Sequence, residues 1–265
     1  MTPQLLFERL WQQYLSVSPS AEAIHQLLGQ GEAIINDHIA LRSYNLPGQG
    51  IAALAQHLLA LGYREGGSYH FANKHLDARH YEHDDERLPK VFISELQVES
   101  LSEPAQQLVR ALAGQVSSEL YQQPSVLFSG RPWQLSYAEY QSLLSESEYA
   151  AWLAAFGYRA NHFTVSVNHL SGFGSLEQVN QVLREAGFAL NSVGGEIKGS
   201  PAVLLEQSAT LADKVEVSFS DGSYTIPACF YEFARRYPAA DGKLYQGFVE
   251  ASADKIFSST DTSQQ

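Results

Sequence analysis

Asn36-Asp37-His38-Ile39-Ala40-Leu41-Arg42-Ser43-Tyr44 is short, rich in strand formers and followed by the turn signal Leu46-Pro47-Gly48. It therefore reads as a β-strand. Successive side chains of a strand point to opposite faces, so His38, Ala40 and Arg42 share one face and Ile39, Leu41 and Ser43 the other. A face carrying an imidazole and a guanidinium, backed by an apolar face, suits a pocket. The imidazole can hold a metal, and the arginine can fork onto a carboxylate. The competing reading is a half-exposed strand whose polar face meets water.

Around this strand the pattern predicts a module. Two helices, Leu5 to Tyr14 and Ala21 to Leu28, precede it as an N-terminal cover. Gly50 to Gly62 follows as a helix with an apolar stripe of Ile51, Leu54, Leu58, Leu59 and Leu61. Ser68 to Phe71, Leu76 to Tyr81 and Val91 to Val98 then read as strands, so residues 36–98 form a βαβββ unit. Residues 100–157 read as a helical insertion, with helices at Ala105 to Leu120 and Tyr137 to Phe156, broken by Pro124, Gly130 and Pro132.

At Asn161 the first pattern restarts, and such repeats decide a fold. Asn161 to Val167 is a strand and Ser175 to Gly187 a helix. Asn191 to Lys198, Val203 to Thr210 and Val215 to Phe219 are strand-like, closed by the Ser220-Asp221-Gly222 turn. Residues 160–222 are thus expected to be a second βαβββ module, and 223–257 an aromatic-rich C-terminal segment. A polar tail, expected to be disordered, ends the chain. Asn36-Asp37-His38 opens one module and Asn161-His162 the other, so packing the modules as a pseudo-dimer brings the two histidines together.

The 265 residues suffice for one large domain or two small ones, with a sizeable core. The net charge of −12 argues against a general nucleic-acid binder, which shows a basic stripe. It leaves open a small anionic substrate, because one buried arginine matters more locally. Cys229 is the single cysteine, which excludes a disulfide framework and a CxxC zinc site. No stretch approaches the roughly 20 apolar residues of a membrane span, and a cytoplasmic location is the default expectation.

Two histidines on paired strands are half of a metal site, and two histidines with one carboxylate and open positions favour non-heme Fe(II). The carboxylate candidates in module two are Glu196, Glu206 and Glu216. Glu206 follows Val203-Leu204-Leu205, and an acid in an apolar strand needs a partner or a metal. Glu216 reads as a solvent-face residue. Glu95 is the matching acid in module one, a leftover ligand position or a structural acid. His70, His75, His80 and His83 lack an HExxH arrangement and read as surface residues of a hairpin. His25 and His57 read as structural, and His169 as a weak alternative ligand.

These segments carry a resemblance. Asn36 to Arg42, Lys74-His75-Leu76-Asp77-Ala78, Val91 to Leu96, Asn161-His162-Phe163-Thr164, Glu206-Gln207 and Tyr245-x-x-Phe248-x-x-x-Ser252-Ala253-x-x-Ile256-Phe257 together resemble the 2-oxoadipate dioxygenase/decarboxylase family. The resemblance spans residues 5–257. It implies an α+β fold of vicinal-oxygen-chelate type, in which two βαβββ modules form a curved sheet around a metal site within a single domain, 1–265. It implies Fe(II) held by His38, His162 and Glu206. Arg42, four residues after the first histidine, is implied to bind substrate, with Ala251 and Ser252 touching it from a late loop. The implied partners are a 2-oxo acid and O2, with 2-oxoadipate going to 2-hydroxyglutarate and CO2. Ala251 is smaller than the family's usual residue, and Glu250 stands where proline is usual, so substrate length is the least constrained feature. Two other outcomes fit the same residues: a non-oxidative divalent-metal isomerase, lyase or hydrolase, and a non-catalytic binder of a small acid.

Overall fold

The computed structural model of the protein describes residues 1–252; the polar tail expected to be disordered, and the motif residues Ala253, Ile256 and Phe257, lie outside the described residues. The chain is built on one curled sheet. Its strands are β1 (Asn36–Tyr44), β2 (Arg64–Phe71), β3 (Leu76–Glu82), β4 (Lys90–Leu96), β5 (Ala160–Ser166), β6 (Lys198–Ser200), β7 (Leu205–Ala209) and β10 (Phe230–Arg236), in the order β2-β3-β4-β1-β5-β10-β7-β6. β8 (Lys214–Phe219) and β9 (Gly222–Pro227) form a separate hairpin. Both halves follow one plan. The first strand runs parallel to the last, β1 to β4 and β5 to β10, and the other two strands add antiparallel outside. The halves meet at the antiparallel β1–β5 seam, where Ala40 pairs with His162. This is the paired βαβββ architecture of the vicinal-oxygen-chelate fold.

One boundary is corrected. The fourth strand of module two is β10, and the Val215–Phe219 run expected there belongs to the β8–β9 hairpin. Its alternation is that of a two-stranded ribbon joined at Ser220-Asp221, held to the insertion by the stacked rings of Tyr137 and Tyr224 at 3.8 Å. Module two therefore runs past 222 into the segment that had read as C-terminal. The strand expected at Asn191 to Lys198 shortens to β6, and most of that run is loop because Gly194 and Gly195 adopt positive φ.

Helices cover the convex face. They are α1 (Pro3–Leu15), α2 (Ser20–Gly29), α3 (Ile51–Leu59) and α7 (Leu176–Glu185). The outward residues of the central strands meet them: Trp11 of α1 lies 5.0 Å from the Phe163 ring and 5.8 Å from that of Tyr231. The insertion supplies α4 (Glu103–Ala113), α5 (Tyr137–Leu144) and α6 (Glu148–Phe156). Every residue of α6 except Glu148 is buried, as expected for a helix apolar all round. The Trp152 indole N–H donates to the Ala228 carbonyl at 2.5 Å, and the Trp133 indole to the Ala154 carbonyl at 2.7 Å. Gly157 ends α6 at φ +66°, where a Cβ would fall 2.1 Å from the Gly130 carbonyl oxygen.

Segment 237–252 closes the concave side. Its Glu250 carboxylate accepts the His70 N–H of edge strand β2 at 3.2 Å. Ser252 lies beside Gly199 of the opposite edge strand, β6. The sheet therefore curls far enough for one short strap to touch both edges.

Candidate metal centre

Strand alternation decides which side chains face inward. On β1 these are His38, Ala40 and Arg42; on β5, His162 and Thr164; on β10, Phe230, Glu232, Ala234 and Arg236. His38, His162 and Glu232 converge, with one ligand atom of each within 4.8 Å of the others, and among the described residues they are the one such group. His38 Nε2 is 3.4 Å from Glu232 Oε1, and His162 Nε2 is 3.3 Å from Glu232 Oε2. All three side chains are buried.

Each histidine is oriented by the residue before it. His38 Nδ1 meets Asp37 Oδ1 at 2.8 Å, and His162 Nδ1 meets Asn161 Oδ1 at 3.0 Å. Both partners accept, so each Nδ1 carries the proton and each Nε2 presents a lone pair inward. The backbone makes this possible. Register shifts at Asn36/His38 in β1 and at Ala40/Leu41 opposite Asn161 break strict alternation beside each histidine, so its neighbour can reach the same side. Asp37 is in turn clamped by Arg236, Nε to Oδ2 at 2.7 Å and Nη2 to Oδ1 at 2.9 Å. Burial would raise the Asp37 carboxyl, but the Arg236 charge and hydrogen bonds from His38 and Arg236 hold it well below the usual range. Glu232 Oε1 accepts the Gln207 amide at 2.7 Å.

The donor set fits a divalent cation. Glu232 Oε2 is buried with no hydrogen-bond partner. Burial pushes Glu232 up, while burial and then the charges of His38 and Arg42 push His162 well down. A buried carboxylate oxygen without a hydrogen-bond partner, 3.3 Å from the lone pair of His162 Nε2, is costly alone and favourable around a cation, which reverses that balance. Two histidines and one carboxylate leave coordination positions open, the pattern of non-heme Fe(II) centres.

The carboxylate expected from sequence is corrected. Glu206 pairs in register with Arg235, on the opposite face from Ala234 and Arg236, and accepts the Tyr237 hydroxyl at 2.6 Å. Its neighbour Gln207 points inward instead. Glu95 also faces out, taking the Ile51 N–H at the start of α3 at 2.7 Å. Glu232 was hidden in the run Cys229-Phe230-Tyr231-Glu232-Phe233, inside the stretch that had read as an aromatic-rich C-terminal segment. The available signal was the one that favoured Glu206, an acid inside an apolar strand. By symmetry of the two halves, the position matching Glu232 is Phe92, since Glu232 pairs with Thr164 and Phe92 with Ala40. Module one thus offers an apolar ring where a fourth ligand would stand.

Arg42 is buried at the α6 end of the same face. Its Nη1 reaches both Glu148 oxygens at 3.1 and 3.3 Å, and its guanidinium lies over Tyr149 at 4.7 Å and Trp152 at 4.8 Å. Of the late-loop pair, Ser252 is buried and Ala251 exposed. The outlying histidines have other work. His57 bonds the Tyr121 carbonyl at 3.0 Å, His25 the Tyr231 hydroxyl at 3.2 Å and His169 the Ser166 hydroxyl at 2.8 Å. His80 departs from its surface reading: it is buried on the concave face between Tyr69 and Glu82, each at 2.8 Å.

A family model described as 2-oxoadipate dioxygenase/decarboxylase matches residues 6–125 and 127–245. The rice protein named 2-oxoadipate dioxygenase/decarboxylase is 34% identical over 95% of this chain and 76% of its own length. A rice hydroxyglutarate synthase, solved in complex with 2-oxoadipate, is 33% identical, covers 98% of this chain and 92% of its own, and superposes with a TM-score of 0.90. A Shewanella frigidimarina protein, described only as a candidate hydrolase, is 56% identical over 94% of this chain and 98% of its own, with a TM-score of 0.91.

Proposed function

Because the chain belongs to the 2-oxoadipate dioxygenase/decarboxylase family, we propose that its buried centre catalyses the oxidative decarboxylation of a 2-oxo dicarboxylic acid, with 2-oxoadipate and O2 giving 2-hydroxyglutarate and CO2. The observation that carries this reading is the convergence of His38, His162 and the partly unsatisfied Glu232 carboxylate. These three residues would hold Fe(II), which when bound supplies the redox chemistry with O2 and a Lewis-acid anchor for the 2-oxo acid.

The remaining work falls to the chain. Asp37 and Asn161 keep the Nδ1 protons in place, so the Nε2 lone pairs stay aimed at the centre. Arg42 binds a substrate carboxylate. Its contacts with Tyr149 and Trp152 fix the guanidinium plane, so little freedom is lost when a carboxylate docks. Glu148 shares that guanidinium and keeps its buried charge compensated between turnovers. Phe92, Phe230 and Phe248 line the centre with apolar rings that exclude water and strengthen the electrostatics inside. Ser252 and Ala251 in the strap bear on substrate length.

No helix among the described residues is long and apolar enough to cross a membrane. Cys229 is free and buried, in keeping with a reducing compartment, and we assign the protein to the cytoplasm, which cell fractionation tests.

The test is oxygen consumption by protein loaded anaerobically with Fe(II), using 2-oxoadipate and shorter and longer 2-oxo acids. Uptake matched by CO2 and 2-hydroxyglutarate supports the reading. Stoichiometric iron with no uptake on any 2-oxo acid points to non-oxidative metal chemistry.

A further inference from the structure

The strap and the metal centre share one side chain, Arg236. Two of its nitrogens hold Asp37, which orients His38. Its third, Nη1, donates to the strap carbonyls of Tyr245 at 2.9 Å and Gly247 at 2.8 Å. The same guanidinium lies 5.2 Å from the Phe248 ring centroid. That ring packs edge-on against His38 at 4.8 Å, and the Phe248 N–H donates to the Tyr69 hydroxyl at 3.1 Å. Arg236 stands four residues after Glu232 on β10, and its own N–H is pinned by Asn168 Oδ1 at 2.8 Å. One buried cation therefore joins the carboxylate strand, a histidine's orienting acid and the backbone of the closing segment.

We infer that Arg236 is a positioning residue that couples seating of the 245–248 strap to the aim of His38 at the metal. With the strap seated, the guanidinium donates four hydrogen bonds, two to Asp37 and two to the strap carbonyls, and the Asp37 carboxylate is fixed on both oxygens. With the strap lifted, Nη1 loses two acceptors and Phe248 leaves the His38 ring. Asp37 then gains freedom, and His38 loses both its wedge and its fixed partner. Linkage makes the effect reciprocal: a metal that prefers an aimed His38 also favours the seated strap. The same device admits substrate, because the ligands are buried while the strap lies on them. This inference rests on the metal reading proposed above.

The test uses the full-length protein, Co(II) as a spectroscopic probe, and trypsin, whose cleavage after exposed Lys243 reports on the strap. Arg236→Lys keeps the charge and the trypsin site but cannot serve Asp37 and two carbonyls together. Phe248→Leu keeps Arg236 and removes the ring. Wild-type protein should bind one Co(II), and binding should slow cleavage after Lys243. Arg236→Lys should weaken Co(II) binding by about 10- to 100-fold, the usual effect of losing an outer partner of a metal ligand. It should also alter the Co(II) visible spectrum and abolish the metal's protection of Lys243. Phe248→Leu should loosen the strap and shift the spectrum less. Wild-type affinity, spectrum and protection in both variants would overturn the coupling while leaving the metal centre intact. Failure of the wild type to bind Co(II) or Fe(II) would overturn both.

Discussion

Glu232→Gln separates the cost of the centre from its use. Gln is isosteric, and it keeps an oxygen for the Gln207 amide, now 2.7 Å from Glu232 Oε1. At Oε2 it places an N–H donor 3.3 Å from His162 Nε2, which presents a lone pair because Nδ1 donates to Asn161. An unpaired buried acceptor becomes a paired donor. Satisfying such a group is worth about 1–2 kcal/mol, so the metal-free variant should melt roughly 2–8 °C above the metal-free wild type. The metal response should run the other way. At a metal concentration of about 100 Kd, binding stabilises the wild type by ~2.7 kcal/mol, a rise of roughly 5–11 °C for a chain of this size. Glu232→Gln should show almost none of that rise. Thermal melts with and without Fe(II) or Co(II) read both signs, with Glu206→Gln as the control that keeps the wild-type response. A full metal-induced rise in Glu232→Gln, or its loss in Glu206→Gln, would refute the assignment of the carboxylate.

Arg42→Ala should keep stoichiometric iron but lose turnover on 2-oxoadipate, measured by oxygen uptake; unchanged KM and kcat would make Arg42 structural. Tyr149→Phe removes a hydroxyl that takes the Ser43 N–H at 3.1 Å and meets the Ser94 carbonyl at 2.9 Å. It should cost about 1–3 kcal/mol in a denaturant titration with metal binding intact. Gly157→Ala forces a Cβ against the Gly130 carbonyl oxygen at a positive φ and should lower Tm sharply or prevent folding. Asn161→Ala should weaken metal binding by about 10-fold, read by titration, because His162 loses the acceptor that fixes its tautomer.

The two histidines were legible because each opens the first strand of a repeated module, and a repeat is visible in one sequence. That Arg42 shares a face with His38 was legible because a period of two ties them on one strand. The acid was not. Its strand arrives one hairpin later than the repeat predicts, and β8 has the alternation of a genuine strand, so the count of four closed too early. Once β10 is the fourth strand, parity alone puts Phe230, Glu232 and Arg236 inside. Parity likewise moves Glu206 and Glu95 outside, a distinction invisible until register is known. The role of Asp37 was hidden for the opposite reason. Ideal alternation turns it away from His38, and only the irregularity in β1 brings the two together. His80 read as surface because its hairpin is polar in composition; curling of the sheet, a property of eight strands together, buries it.

The seam between β1 and β5 has a consequence for how the protein comes to be made. His38 lies on one half of the sheet, and His162 and Glu232 on the other, at sequence separations of more than a hundred residues from His38. Neither half alone can gather three ligands. During synthesis the first module emerges and can fold while its histidine has no partners, and β10 joins only after the insertion, β5 and the hairpin have been laid down. Contacts this distant in sequence form late because the loops between them must close first. On the proposed metal reading, capture of the ion would be a late event in folding, and a chain that has docked its halves in the wrong register could not hold it. Refolding followed with a metal-sensitive probe should show burial of the tryptophans before the ion is taken up.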